Sequence, residues 1–116
     1  MISIAGLNTH YGDSHILRGV DVEVPAATAV GLLGRNGMGK TTLIRALMGY
    51  VKPGSGSVRC DGRDVTGWAP EKMARLGIGY VPEGRGIFPN LSVRENLVMS
   101  ERAGLDGRRE WTFDRV

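Results

Sequence analysis

The 116-residue sequence holds a single cysteine, Cys60. One thiol excludes an internal disulfide and leaves no partner for a cysteine-based zinc site. It fits a reducing, cytosolic compartment. No stretch approaches the roughly 20 consecutive apolar residues that a membrane-spanning helix needs. The residues after Met1 lack the apolar core of a secretory leader. Charge of one sign is not concentrated either. Fifteen basic against 12 acidic residues give a net charge of +3, with no run of Lys or Arg. No nucleic-acid partner is expected from that balance.

Glycine is abundant, with 18 residues. They follow no repeat, which excludes collagen-like and linker readings. The rest of the chain alternates strand and helix signals, the pattern of an α/β protein. Ile2 and Ile4 suit a short first strand. Val20, Val22 and Val24 alternate with Asp21 and Glu23, the mark of a half-buried antiparallel strand. Ala29-Val30-Gly31-Leu32-Leu33 is continuous and apolar, so it is predicted to be a strand buried on both faces. In the run from Lys40 to Met48, Leu43 pairs with Leu47 and Ile44 with Met48 at i,i+4, which predicts a helix. Gly49 and then Pro53-Gly54 end it. Asp61-Gly62 is a hairpin-type turn between two short strands. A short helix is predicted over residues 70–76, and a strand over residues 78–81. Ser92-Val93-Arg94-Glu95 is a capping box that starts a helix near Val93. The polar tail beyond Gly107 reads as the first turns of a further helix.

The segment Gly34-Arg35-Asn36-Gly37-Met38-Gly39-Lys40-Thr41 matches G-x-x-x-x-G-K-[ST] at every fixed position. Such a loop wraps so that backbone N–H groups point inward at phosphate oxygens. Its glycines allow the unusual φ angles and the close approach. The following helix aims its N-terminal N–H groups at the same anion. Lys40 brings a point charge to the β- and γ-phosphates, and the Thr41 hydroxyl is a Mg²⁺ ligand. An apolar run before the loop and a helix after it form the context that the motif requires.

With that loop in place, the chain resembles the ATP-binding subunits of ABC transporters over almost its whole length. The resemblance implies a phosphate-loop fold with a small antiparallel β subdomain and a parallel core sheet flanked by helices. It divides the chain into residues 1–100, β subdomain and phosphate-loop core, and residues 101–116, the start of the helical subdomain. Asn8-Thr9-His10-Tyr11-Gly12 looks like the segment with the adenine-stacking aromatic, which makes Tyr11 that residue. Gly34, Asn36, Gly37, Gly39, Lys40, Thr41 and Thr42 would then hold the phosphates of ATP and its Mg²⁺. Gly79-Tyr80-Val81-Pro82-Glu83 looks like the Q-loop, with Glu83 where most members carry glutamine. A carboxylate offers Mg²⁺ an oxygen with more charge, so Glu83 joins Lys40 as a catalytic candidate and Thr41 as a metal ligand.

The run from Val81 to Leu97 resembles the branched-chain amino-acid importers, in particular the smaller of their two ATPase subunits. There glutamate in the Q-loop is usual. Urea and short-chain amide importers are similar. The resemblance implies a second ATPase subunit as dimer partner, transmembrane permease subunits, and indirectly an extracytoplasmic solute-binding protein. It implies a peripheral place on the cytoplasmic face of the inner membrane. Phe88, Pro89 and Leu91 would face the permease. The Leu-Ser-Gly-Gly signature, the strand ending in a Mg²⁺-binding aspartate, the water-activating glutamate and the switch histidine have no counterpart in these 116 residues. His10 and His15 precede the loop and cannot supply the last. The chain therefore resembles the N-terminal part of one ATPase domain. It is expected to bind ATP, to hydrolyse it negligibly, and to carry open apolar edges. A nucleotide-binding remnant without turnover is the alternative. A GTPase is disfavoured because no Asn-Lys-x-Asp motif exists.

Overall fold

The computed structural model describes residues 1–35, 39–84, 86–101, 103, 107–109 and 111–116. They divide into two compact units, Met1–Met73 and Ala74–Val116.

The first unit is built on strands β1 (Ile2–Tyr11), β2 (Ser14–Val24), β3 (Ser55–Cys60) and β4 (Arg63–Asp64). They form one antiparallel sheet in the order β2-β1-β3-β4. Ile4 sits between Val22 of β2 and Val58 of β3. The first strand is long, not short, because an irregularity between Ile4 and Leu7 lets it continue. The extra residue changes the parity of the strand. Ile4 faces the core before it, and Leu7 and Thr9 face the core after it. The Gly6 N–H at this point donates to the Asp21 carboxylate at 2.6 Å. The β3–β4 connection is a two-residue turn with Asp61 at φ 49° and Gly62 at φ 78°. Two positive φ values in succession define the type I′ turn expected there.

Helix α1 (Lys40–Leu47) packs Leu43 and Ala46 inward, and Met48 just beyond its end is buried too. Together with Ile4, Leu7, Leu17, Val51, Val58, Val65 and Met73 they make the core of this unit. Each fully buried Leu or Val contributes about 1.5–3 kcal/mol relative to exposure. The helix ends in a Schellman motif: Gly49 N–H donates to the Ala46 carbonyl at 3.2 Å and Tyr50 N–H to the Arg45 carbonyl at 2.8 Å. Gly49 has φ 83°, and a Cβ there would lie 2.0 Å from the Trp68 carbonyl oxygen. No other residue fits that position without moving backbone.

Helix α2 (Pro70–Arg75) matches the short helix predicted there and buries Met73. In the second unit, helix α3 (Val93–Ser100) starts on the capping box. Ser92 Oγ accepts from Glu95 N–H at 3.1 Å, and Glu95 Oε2 accepts from Ser92 N–H at 2.8 Å. Asn96 ties the preceding turn to the helix. Its Oδ1 accepts from Phe88 N–H at 3.0 Å, and its Nδ2 donates to the Phe88 and Ser92 carbonyls at 3.2 and 2.9 Å. Yet α3 has no buried residue. Local hydrogen bonds hold this unit, and no described apolar side chain in it is fully buried. Such regions open at low free-energy cost.

Two sequence expectations fail. Residues 29–33 form no strand, and Leu33 is 94 % exposed. Residues 78–81 form none either, with Val81 93 % exposed. Both runs have the composition of central parallel strands. A parallel strand needs a neighbouring strand and covered faces to be one, and none of the described strands pairs with either run. The parallel core sheet is thus not formed among the described residues. Among the described residues of the tail beyond Gly107 there is one turn, with the Arg115 and Val116 N–H groups donating to the Thr112 carbonyl.

Candidate functional site

The phosphate loop leaves residues 29–33 and enters α1. Gly34 and Arg35 are exposed. Asn36 and Gly37, both expected phosphate ligands, lie outside the described residues. Gly39 is buried and is the N-cap of α1, with φ 94° in the left-handed region. It needs to be glycine for a second reason. A Cβ there would stand 2.9 Å from Leu17 Cδ2 and 3.7 Å from Ile16 Cγ2. Strand β2 is therefore the wall against which the end of the loop is seated.

The start of α1 suits an anion. No side chain caps it, and its first turn holds no acidic residue. The Leu43 N–H reaches the Gly39 carbonyl at 2.8 Å, which closes the first intrahelical bond. The N–H groups of Lys40, Thr41 and Thr42 precede that bond and have no carbonyl four residues back within the helix. Their partial positive charge adds to the helix dipole. Lys40 Nζ turns back over the loop and donates to the Gly34 carbonyl. Thr41 is exposed at the mouth of the helix, whereas Thr42 is buried and faces the core.

Tyr11 closes β1, opposite Ser14. The residue is 46 % exposed. One residue that sequence reasoning did not single out fixes this hairpin. Asn8 Nδ2 donates to the Gly6 carbonyl at 2.9 Å and to Ser55 Oγ at 3.0 Å. Its Oδ1 accepts from Gly19 N–H at 3.0 Å and lies 3.0 Å from His15 Nε2. The Gly6 carbonyl can only accept and the Gly19 N–H can only donate, so the amide orientation is fixed. His15 Nε2 is then assigned the proton. The His15 ring stacks on His10 at 4.1 Å between centroids. Asparagine before a turn carries no local signal of such a hub.

Glu83 lies in the second unit, exposed, in a bend between residues without regular structure. No group of three His, Cys, Asp or Glu among the described residues could hold a metal ion. A Mg²⁺ ion would be held here as it usually is with nucleotides, by one or two protein oxygens and by phosphate oxygens. Thr41 fits the first role. No described helix is long and apolar enough to cross a membrane.

A left-handed glycine feeding a helix, with a lysine turned back onto the loop, is the arrangement of a phosphate-loop protein. The family model described as ABC transporter matches residues 17–116, and the chain belongs to that family. It is 46 % identical over 92 residues to a probable ABC transporter ATP-binding protein of Azorhizobium caulinodans, covering 79 % of this chain and 33 % of that one. It is 41 % identical over 99 residues to the high-affinity branched-chain amino acid transport ATP-binding protein BraG of Pseudomonas aeruginosa, covering 85 % and 42 %. Other relatives are named for Fe(3+) import and for Nod factor export. Among solved structures, an ATP-binding cassette of an ABC transporter superposes with a TM-score of 0.78 at 26 % identity, covering 85 % of this chain and 39 % of that one. The chain spans a third to about two fifths of the length of these curated relatives.

Proposed function

We propose that this chain is the ATP-binding part of the energy-coupling subunit of an ABC importer for branched-chain or related amino acids. The observation that carries the nucleotide assignment is the seat of Gly39. A buried, left-handed glycine heads an uncapped helix whose first three N–H groups have no acceptor within the helix, and the Lys40 ammonium donates to the Gly34 carbonyl. That is a site for a polyphosphate. Tyr11 would stack on the base. Thr41 would ligate Mg²⁺. When bound, the ion would supply neutralisation of phosphate charge. The chain's own residues bind and orient.

The amino-acid assignment rests on the run from Val81 to Leu97 and on the similarity to BraG. A urea or amide importer has the same local features. The whole subunit would work as a transport-coupled ATPase. It would pair with a second ATPase subunit, dock on transmembrane permease subunits at the cytoplasmic face of the membrane, and serve an extracytoplasmic solute-binding protein. These 116 residues alone would turn over ATP far more slowly than the 1 s⁻¹ at the lower end of phosphoryl-transfer enzymes. Calorimetric titration of ATP into wild type and Lys40→Ala tests the site. Lys40→Ala should bind at least about tenfold more weakly, the loss of one charge-assisted contact. Equal affinities would remove the assignment.

A further inference from the structure

The known elements of the loop do not explain what holds Gly39 in place. Its φ is 94°, and the nearest side chains come from a strand far away in sequence. Leu17 is 4 % exposed and lies in β2 opposite Thr9 of β1. Its Cδ2 comes within 2.9 Å of where a Gly39 Cβ would stand, and the Ile16 carbonyl oxygen within 3.7 Å. The three heavy atoms nearest that position belong to Leu17 and Ile16. Thr9 behind Leu17 is itself fully buried, with its hydroxyl unpartnered among the described residues. Leu17 is thus a buried side chain that pairs with Thr9 across the sheet and reaches Gly39.

We propose that Leu17 is a positioning residue for phosphate binding: by bearing on Gly39 it sets the turn that aims the first N–H groups of α1 and Lys40 at the ligand. This rests on the nucleotide-binding reading above. A shorter side chain leaves a gap under Gly39. The turn can then relax into it, and the donors lose their common focus. Donors at a helix start are useful to a polyphosphate only while they converge. Leu17 touches no ligand itself, so its effect is on affinity for phosphates whatever base they carry.

The test measures ATP and inorganic tripolyphosphate binding to wild type, Leu17→Ala, Leu17→Met and Val58→Ala, with thermal melts on the same samples. Val58 is buried to the same degree, on β3 away from the loop. Leu17→Ala should weaken both ligands by the same factor, about tenfold, comparable to losing one charge-assisted hydrogen bond. Leu17→Met should restore both to within about twofold, because it is a volume-conserving exchange. Val58→Ala should lower the melting temperature and leave both affinities unchanged. Leu17→Val carries the same comparison if Leu17→Ala does not fold. Wild-type affinity in folded Leu17→Ala or Leu17→Val overturns the inference. So does an equal loss in Val58→Ala, or a loss confined to ATP. Failure of wild type to bind either ligand refutes the nucleotide reading itself and is distinct from all of these.

Discussion

Replacing Gly39 by alanine tests the loop at its most constrained point. Alanine in the left-handed region costs about 1–2 kcal/mol. The added Cβ would stand 2.9 Å from Leu17 Cδ2, well inside the roughly 3.5–4.0 Å of a relaxed carbon contact. Leu17 is buried, so its shift must be absorbed by the core at about 1–3 kcal/mol. The two costs give about 2–5 kcal/mol. If the loop holds its shape, the melting temperature falls by about 10 °C or more. If the loop yields instead, the melt is spared, but the first turn of α1 tilts. ATP affinity then drops about tenfold for each 1.4 kcal/mol of lost contact. Circular-dichroism melts and calorimetric titration on one sample follow both routes. A Gly39→Ala protein within about 2 °C of wild type and within about twofold in ATP affinity would refute this account of the loop.

Three further outcomes follow from other parts of the chain. Ser92→Ala removes the N-cap of α3 and should cost that helix about 1 kcal/mol, read as faster amide exchange at residues 94–96 with residues 2–11 unchanged. The Met1 ammonium donates to Asp61 at 2.8 Å, and this hydrogen bond raises its pKa above 8.0. Its contribution to stability is full below pH 8.0 and is lost as pH rises through the raised value. Asp61→Asn should flatten melting temperature against pH over that alkaline window only. Thr9→Val deletes a buried hydroxyl that has no partner among the described residues and keeps the shape. It should stabilise by about 1 kcal/mol, giving a higher denaturant midpoint with the same slope.

Elements whose causes lie within a few residues were legible in the sequence. The capping box at Ser92 and Glu95 closes on itself, and the Asp61-Gly62 turn needs only two residues with positive φ. Helix α1 follows from its i,i+4 pairs and its glycine stop. The apolar runs at residues 29–33 and 78–81 form no strands. Their composition fits a central strand, but a strand exists only where another pairs with it. The loop motif named Gly39 and Lys40, yet it could not reveal the Leu17 contact or the folding of Lys40 back to the Gly34 carbonyl. Nor could it distinguish exposed Thr41 from buried Thr42, because only the packing of α1 decides which hydroxyl faces out. Asn8 shows the same limit, since its four contacts draw on Gly6, His15, Gly19 and Ser55.

The central claim is that polyphosphate binds on the backbone at the head of α1. Amide NMR of the chain titrated with ATP addresses it residue by residue. The account predicts that the N–H signals of Gly39, Lys40, Thr41 and Thr42 move together and saturate at one affinity, while those of Ser55–Cys60 on β3 stay in place. Saturable binding that leaves the four loop signals unmoved would contradict it.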